Sequence, residues 1–267
     1  MKSTYLIEML TPKLSSEKFE SELEVFADRY GQVLDEGHVV SVPDNPMGEP
    51  RFQLTEVIEE LGLPLEPDQV LMHMNTFHPK AHLEKTLDDA DRLGIRHLMV
   101  ISGDGGQRLT RLEPADIGSD AGTVTSVQLT EYIMNRHPNQ FEVGVAFNPY
   151  EPMEQELARL RQKIEAGASF VATQPVFGEE ANLSALRDFG MPVFAGVWMS
   201  RNLDLLARCL GRDHMDRPDD DPFSVLDRVR KAYPEFGLYV SMLGFKHQWP
   251  KLREELTTED TVPEGRP

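Results

Sequence analysis

Residues 141–177, FEVGVAFNPYEPMEQELARLRQKIEAGASFVATQPVF, read as one complete strand, helix and strand with polar residues at both strand ends. Phe141, Val143, Val145 and Phe147 alternate with smaller residues, and the Pro149-Tyr150-Glu151-Pro152 turn stops that strand before a helix begins. Leu157, Leu160 and Ile164 recur at helical spacing, Ala166-Gly167-Ala168 ends the helix, and a second apolar run closes on Thr173 and Gln174. Two largely apolar strands joined by a helix should be parallel neighbours with that helix covering their outer face. Asn148, Thr173 and Gln174 then share one rim, and in a parallel α/β barrel the rim at the C-terminal strand ends carries the chemistry.

The same alternation repeats outward in both directions. Residues 4–10, 38–42, 69–74 and 97–101 read as the first four strands. Helices follow them at Phe19, Leu23 and Phe26, capped by Pro12 and the Ser15-Ser16-Glu17-Lys18 run, and over 52–61, 78–93 and 124–135. Downstream, a helix over 179–189 leads to a seventh strand at 192–197, helices over 203–210 and 222–232, and an eighth strand at 237–243. A short helix over 251–256 closes the chain. Eight strands alternating with helices predict a single (β/α)8 TIM barrel, one catalytic domain over residues 1–256, with 257–267 as a flexible polar tail. Two rim loops stand out. Residues 43–48, PDNPMG, are proline-rich, and residues 102–122, SGDGGQRLTRLEPADIGSDAG, form the longest irregular stretch, expected to be mobile without ligand. Asp219-Asp220-Asp221 before Pro222 is expected to cap a helix N-terminus.

The chain carries 27 Lys and Arg against 45 Asp and Glu, a net charge of −18, which disfavours nucleic acid because a phosphate backbone would be repelled at almost every approach. Its single cysteine, Cys209, excludes an internal disulfide, points to a reducing compartment, and reads as a small buried hydrophobe. The first ten residues hold one Lys and too short an apolar run for a signal peptide, and no 18-residue apolar segment occurs. These features predict a cytoplasmic protein that engages no membrane. Composition leaves a homo-oligomer open.

Several residues could carry chemistry. Glu8 is an acid in the middle of the apolar run Tyr5-Leu6-Ile7-Glu8-Met9-Leu10, where burial would force it to find a partner or stay protonated. It is either a structural ion-pair partner or a proton donor with a raised pKa. Asp104, in Gly103-Asp104-Gly105-Gly106, directly follows a strand, and either makes a tight turn or faces a ligand that the glycines let approach. Gln174 offers both a donor and an acceptor, suited to the amide edge of a heterocycle or simply to rim backbone. Phe147, Tyr150, Phe177 and Trp198 are rim-proximal rings able to stack on a flat ligand or to fill the core. His78 and His82 have the i, i+4 spacing of helical metal ligands, with His73 nearby, but no carboxylate motif or cysteine accompanies them. No GxGxxG and no P-loop lysine occurs.

The V-A-x-x-P-x-x-P strand end at 145–152, the K-x-x-A-G-A helix end from Lys163 to Ala168, and the Thr173-Gln174 pair resemble the methylenetetrahydrofolate reductase family. Glu8, His73 and Gly103-Asp104 agree in order and spacing, so the resemblance spans most of the chain. It implies an oxidoreductase that reduces 5,10-methylenetetrahydrofolate to the 5-methyl form with NADH or NADPH. Glu8 would be the general acid that opens the five-membered ring, Asp104 would tune charge and bond the pterin, and Gln174 and Phe177 would hold the substrate. His73, Gly103, Asn148, Glu156 and Lys163 would contact the cofactor, which in this family is FAD. Four family positions for FAD differ here: a Thr is Pro43, an Arg is Ser102, a Tyr is Asn148, and a His falls at Pro152-Met153. The catalytic set is kept while the flavin set is eroded, which suggests either a recast flavin site or direct passage of hydride from the nicotinamide to the folate, and predicts weak or absent FAD binding. A tetrahydrofolate-binding methyltransferase and a non-catalytic subunit of a reductase complex are the alternative readings.

Overall fold

A computed structural model describes residues 5–66, 68–215 and 220–259. Eight parallel strands close into a barrel in sequence order, β1 (Leu6–Glu8), β2 (Val39–Val42), β3 (Val70–Met74), β4 (His97–Val100), β5 (Glu142–Phe147), β6 (Ala168–Pro175), β7 (Val193–Trp198) and β8 (Gly237–Ser241). β8 pairs with β1, which removes every sheet edge. The helices alternate with them: α1 (Phe19–Asp35), α2 (Leu54–Leu61), α3 (Lys80–Leu93), α4 (Ser126–Arg136), α5 (Met153–Glu165), α6 (Ala181–Ser184), α7 (Leu203–Cys209), α8 (Pro222–Ala232) and α9 (Phe245–Glu259). None of them is long and apolar enough to cross a membrane, among the described residues.

Strand pleating sorts the apolar residues into two cores. Leu6, Val39, Leu71, Met99, Phe170, Ala172, Phe194 and Tyr239 point into the barrel. Ile7, Val40, Met72, Val145, Val171 and Val197 point outward to meet the helices. Two glycines make the inner core fit. A Cβ on Gly144 would lie 2.0 Å from the Phe170 ring, and one on Gly237 would lie 2.5 Å from the Phe194 ring. β5 at Gly144 and β8 at Gly237 are therefore bare so that the neighbouring aromatic ring can fill the axis.

The element boundaries expected from sequence move in places. α1 begins only at Phe19, because the Ser16 hydroxyl closes a turn by accepting the Lys18 N–H at 3.2 Å instead of capping the helix. The helix expected over 179–189 is one turn, α6, followed by a 3-10 helix, Ala185–Phe189. α9 starts six residues ahead of the expected 251. The Phe245 and Trp249 rings stack 5.4 Å apart, and this buried contact offsets the helical hydrogen bond that Pro250 cannot donate. α9 also runs past 256 to Glu259, and the rest of the expected tail, 260–267, lies outside the described residues. Asp221 does cap α8, accepting the Ser224 N–H at 3.1 Å; Asp219 lies outside the described residues. The long loop is not irregular throughout. It holds a 3-10 turn, Pro114–Ile117, and buried Leu112 ties it to the barrel by donating its N–H to Thr76 at 2.8 Å.

Candidate active site

Barrel closure brings residues far apart in sequence to one level. Glu8 is in register with Ser41 on one side and Ser241 on the other. Tyr239, two residues before Ser241 and hence on the same inward face, donates its hydroxyl hydrogen to Glu8 Oε2 at 2.6 Å. Across the mouth Ser41 Oγ and His73 Nε2 share a hydrogen bond of 2.9 Å, and the His73 ring lies 6.2 Å from that of Tyr239. Among the described residues no Lys, Arg or His ion-pairs with Glu8, so the ion-pair reading of that acid loses its partner.

Burial raises the Glu8 pKa above the ordinary carboxylate value, against opposing hydrogen bonds from Tyr239 and Ser241 and the more distant charge of Arg51. Burial also drives the Tyr239 phenol well above its ordinary value, so it remains a donor. Burial pushes His73 down to about 4, which leaves it neutral at physiological pH. The pattern is an acid whose burial favours its protonated form beside neutral hydrogen-bonding groups.

A cavity of about 190 Å³ opens above these residues, lined by Glu8, His73, Asp104, Gln174, Trp198 and Tyr239 among others. Gln174 reaches it because the β6–β7 register shifts between Ala172 and Pro175 and the β7 backbone at Gly196 comes close. A Cβ there would lie 2.5 Å from the Thr173 carbonyl oxygen. The Gln174 amide makes no hydrogen bond with the described residues, which leaves both its donor and its acceptor for a ligand. Asp104 projects from the β4 loop and is anchored by the Met47 N–H, which donates to its Oδ2 at 2.8 Å. That bond clasps the loop at 43–48 to the loop at 102–106. Gly48 and Gly106 make the approach feasible, since a Cβ on either would fall 2.3–2.4 Å from a backbone oxygen of the other loop. Asp44 secures the base of the clasp. It is buried and takes His78 Nε2 at 2.6 Å, the Asn75 N–H at 3.0 Å and Asn45 Nδ2 at 2.9 Å.

The other expected residues separate into two groups. Gly103, Asn148, Glu156 and Lys163 line a second groove of about 730 Å³ over β4 to β6, which shares Asp104 and Gln174 with the central cavity. Glu156 accepts the Asn148 N–H at 3.0 Å and an Arg159 N–H at 3.3 Å, and Lys163 Nζ donates to the Ala146 carbonyl at 2.6 Å. This buried pair thus braces the end of β5. Phe177 does not line either opening; it packs in the outer core at 8% exposure, as does Phe147. Tyr150 is likewise turned away, donating its hydroxyl hydrogen to Pro175 at 2.6 Å. Of the four rings considered, Trp198 alone lines the central cavity. Of the two courses open to this ring, stacking on a ligand or filling the core, Phe177 takes the second. Cys209 corrects a second expectation. It is exposed at the edge of both openings, because α7 ends there, and partial desolvation together with the Glu8 and Asp104 carboxylates pushes the thiol pKa up. His78 is taken by Asp44 and stacks on His82 at 5.0 Å, and no set of three metal-ligating side chains gathers among the described residues.

Sequence reading missed Tyr239, Ser41 and Ser241. Their signal was a polar group at an inward position of an apolar strand, the same signal that exposed Glu8.

The second groove gathers most of the residues expected to contact a cofactor, and its donor set can be tested against a diphosphate. None of its lining side chains is aromatic. Its two cations, Arg159 and Lys163, are outnumbered by Asp104, Glu151 and Glu156, and the Lys163 ammonium already faces a carbonyl. A diphosphate meets no uncommitted cation there, so these residues do not fit a tightly resident FAD.

The sequence profile of methylenetetrahydrofolate reductase matches residues 1–220. Similar curated proteins include a "Probable methylenetetrahydrofolate reductase (NADPH)" of Caenorhabditis elegans, 24% identical over 55% of this chain and 23% of that protein. "Methylenetetrahydrofolate reductase 2" of Schizosaccharomyces pombe is 28% identical over 38% of this chain and 17% of that protein. The matched region thus spans less than a quarter of either relative. Among solved structures, a 2,3-dimethylmalate lyase of the PEP mutase/isocitrate lyase superfamily aligns over 98% of this chain and 84% of its own at 12% identity and a TM-score of 0.50, a likeness of fold alone. With the profile covering most of the barrel, including the strands that bear Glu8, His73 and Gln174, this chain belongs to the methylenetetrahydrofolate reductase family.

Proposed function

We propose that this protein reduces 5,10-methylenetetrahydrofolate, or a close pterin relative, to the 5-methyl form, with NADH or NADPH as electron source. The observation that carries the reading is Glu8, an acid whose burial favours its protonated form, facing the same small cavity as the uncommitted Gln174 amide and Asp104. Opening the five-membered ring needs a proton at the departing nitrogen, and a neutral carboxylic acid in reach of it can supply one. Tyr239 holds Glu8 Oε2 in place. Gln174 is suited to the amide edge of the pterin, and Asp104 Oδ1 to its ring N–H groups. His73, neutral and bonded to Ser41, adds no charge to a cavity that must tolerate a developing cation. The nicotinamide, when bound, supplies the hydride. An inert subunit would have no use for an acid at this level whose burial favours its protonated form.

The groove over β4 to β6 suits a dinucleotide that visits and leaves, and FAD is expected to bind weakly or not at all. Each charge-assisted hydrogen bond absent from such a site lowers affinity by about 1.5–3 kcal/mol. The purified protein should show no flavin band in the visible spectrum and should still reduce methylenetetrahydrofolate with NADH or NADPH in single turnover. A stoichiometric yellow flavin that survives gel filtration would overturn the direct transfer, and no folate reduction with either nicotinamide, with or without added FAD, would overturn the activity.

Tyr239→Phe tests the acid's environment. The tyrosine hydrogen bond favours the Glu8 carboxylate, so its loss should raise the Glu8 pKa further. The rate should fall about tenfold through poorer positioning, and the pH at which activity declines should move upward. An unchanged pH profile would separate Tyr239 from the proton transfer.

A further inference from the structure

The proposed reaction consumes one proton in every cycle. The bond from the bridging carbon to the departing nitrogen breaks, a hydride arrives at that carbon, and the nitrogen takes a proton from Glu8. Glu8 is then a carboxylate, and the next cycle waits until a proton returns to it.

The inward layers of the barrel offer a path for that proton. Tyr239 pairs with Leu6, one layer below Glu8, and its hydroxyl reaches up to donate to Glu8 Oε2 at 2.6 Å. Ser41, level with Glu8 on β2, hydrogen-bonds to the same Tyr239 hydroxyl in the sense that lowers the phenol pKa, which makes Ser41 the donor. Ser41 Oγ also meets His73 Nε2 at 2.9 Å. Each hydroxyl owns one hydrogen, and this fixes the direction of the chain. The Tyr239 hydrogen goes to Glu8 and the Ser41 hydrogen to Tyr239, so His73 carries its hydrogen on Nε2 and donates it to Ser41. Tyr239, Ser41 and His73 are 8%, 0% and 6% exposed, so bulk water does not interrupt the chain.

The far end of the chain meets solvent. His73 Nδ1 is left as an acceptor with no hydrogen bond to the described residues. The ring lines a small opening of about 10 Å³ under the 43–48 loop, about the room that one water needs. Asp44, Asn45, Arg51 and Gln53 line it as well, and Arg51 and Gln53 are only half-buried. The nearby Asp44 carboxylate favours a proton on this ring, against the burial that disfavours one.

We propose that His73, Ser41 and Tyr239 form a proton relay that recharges Glu8 after each turnover. The inference rests on the folate reading above. In one passage Glu8 takes the Tyr239 hydrogen, Tyr239 takes that of Ser41, and Ser41 takes the one on His73 Nε2. His73 Nδ1 takes a proton from water or a buffer acid. One proton enters and one carboxylate is neutralised; no electron moves, and His73 is neutral before and after, with only its tautomer changed. The hydroxyls then turn back, and exchange with solvent restores the Nε2 tautomer. Ser41 and His73 touch no reacting atom and act through Tyr239.

A relay separates the first turnover from the later ones. In rapid mixing with methylenetetrahydrofolate and NADH or NADPH, Ser41→Ala starts with Glu8 protonated. Its first turnover should come within about threefold of the wild-type rate, and its later ones should run slower by about tenfold or more. Imidazole is a small acid able to reach Glu8 through the groove of about 710 Å³ beside the β1 loop, and it should restore the later rate of the variant while leaving wild type unchanged. His73→Phe should behave in the same way. Unchanged steady turnover in Ser41→Ala would overturn the relay. A first turnover as slow as the later ones, with no rescue by imidazole, would also overturn it, because that is the mark of a packing role. The infrared carbonyl band of protonated Glu8, identified as the one missing in Glu8→Gln, reads proton return without any folate. After a downward pH jump it should appear more slowly in Ser41→Ala than in wild type, by about tenfold. Equal appearance in both proteins, beside folate reduction by wild type, would overturn the relay and leave the activity standing. Slower appearance in the variant, beside a wild type that reduces no folate, would do the reverse.

Discussion

Replacing Glu8 by Gln is expected to slow the folate half-reaction by about 100-fold to 10,000-fold, the range that general acid catalysis contributes. The change keeps size and an oxygen able to accept the Tyr239 hydroxyl hydrogen, so it isolates the proton from the packing. Stability should move the other way. Burial raises the Glu8 pKa, so the folded state favours the neutral acid; the stabilisation is full at low pH and is lost as pH rises through the raised value. Gln is neutral throughout and escapes that loss, and the variant's melting temperature at neutral and alkaline pH should equal or exceed that of wild type. Wild-type activity should decline as pH rises through the same raised value. Single-turnover reduction of methylenetetrahydrofolate beside thermal melts of both proteins checks this. Equal turnover with a lowered melting temperature would end the assignment of Glu8 as the proton donor.

Asp44→Ala should produce the largest loss of stability outside the inner core. The carboxylate is 1% exposed, its partner His78 is 4% exposed, and the Asn75 N–H and Asn45 side chain depend on it as well. Removing one side of a buried pair costs about 3–5 kcal/mol, because the groups left behind are desolvated and unpaired. For a domain of this size that corresponds to a fall in melting temperature of about 10 °C. The effect should reach the substrate, since the loop that Asp44 anchors carries the Met47 N–H that holds Asp104. Chemical denaturation and the KM for folate would measure both consequences. A loss below about 1 kcal/mol would mean that water satisfies His78 and Asn75, and that the clasp does not depend on Asp44.

The alternation of strands and helices was legible because each period is local: apolar residues two apart mark a strand, and three or four apart mark a helix. The barrel followed from counting those units, and Glu8, Asp104 and Gln174 stood out because acids and amides at strand ends violate a local pattern. Boundaries were less legible where packing outweighed a local signal. Pro250 argued against a helix that the Phe245–Trp249 stack nevertheless supports, and the apolar run around Cys209 concealed that α7 ends with the thiol exposed.

The sequence by itself determined the fold class, the family and the acid, since each is written in contiguous patterns or in a single misplaced residue. The tertiary structure alone decided what surrounds that acid. Tyr239 lies 231 positions from Glu8 and Asp44 lies 34 from His78, distances over which no periodicity reports. Closure of β8 onto β1 made the first contact, and the crossing of the β2 loop over the end of β3 made the second. Pairing across a closed sheet is set by which strands become neighbours and in what register, and those depend on the whole ring of strands at once.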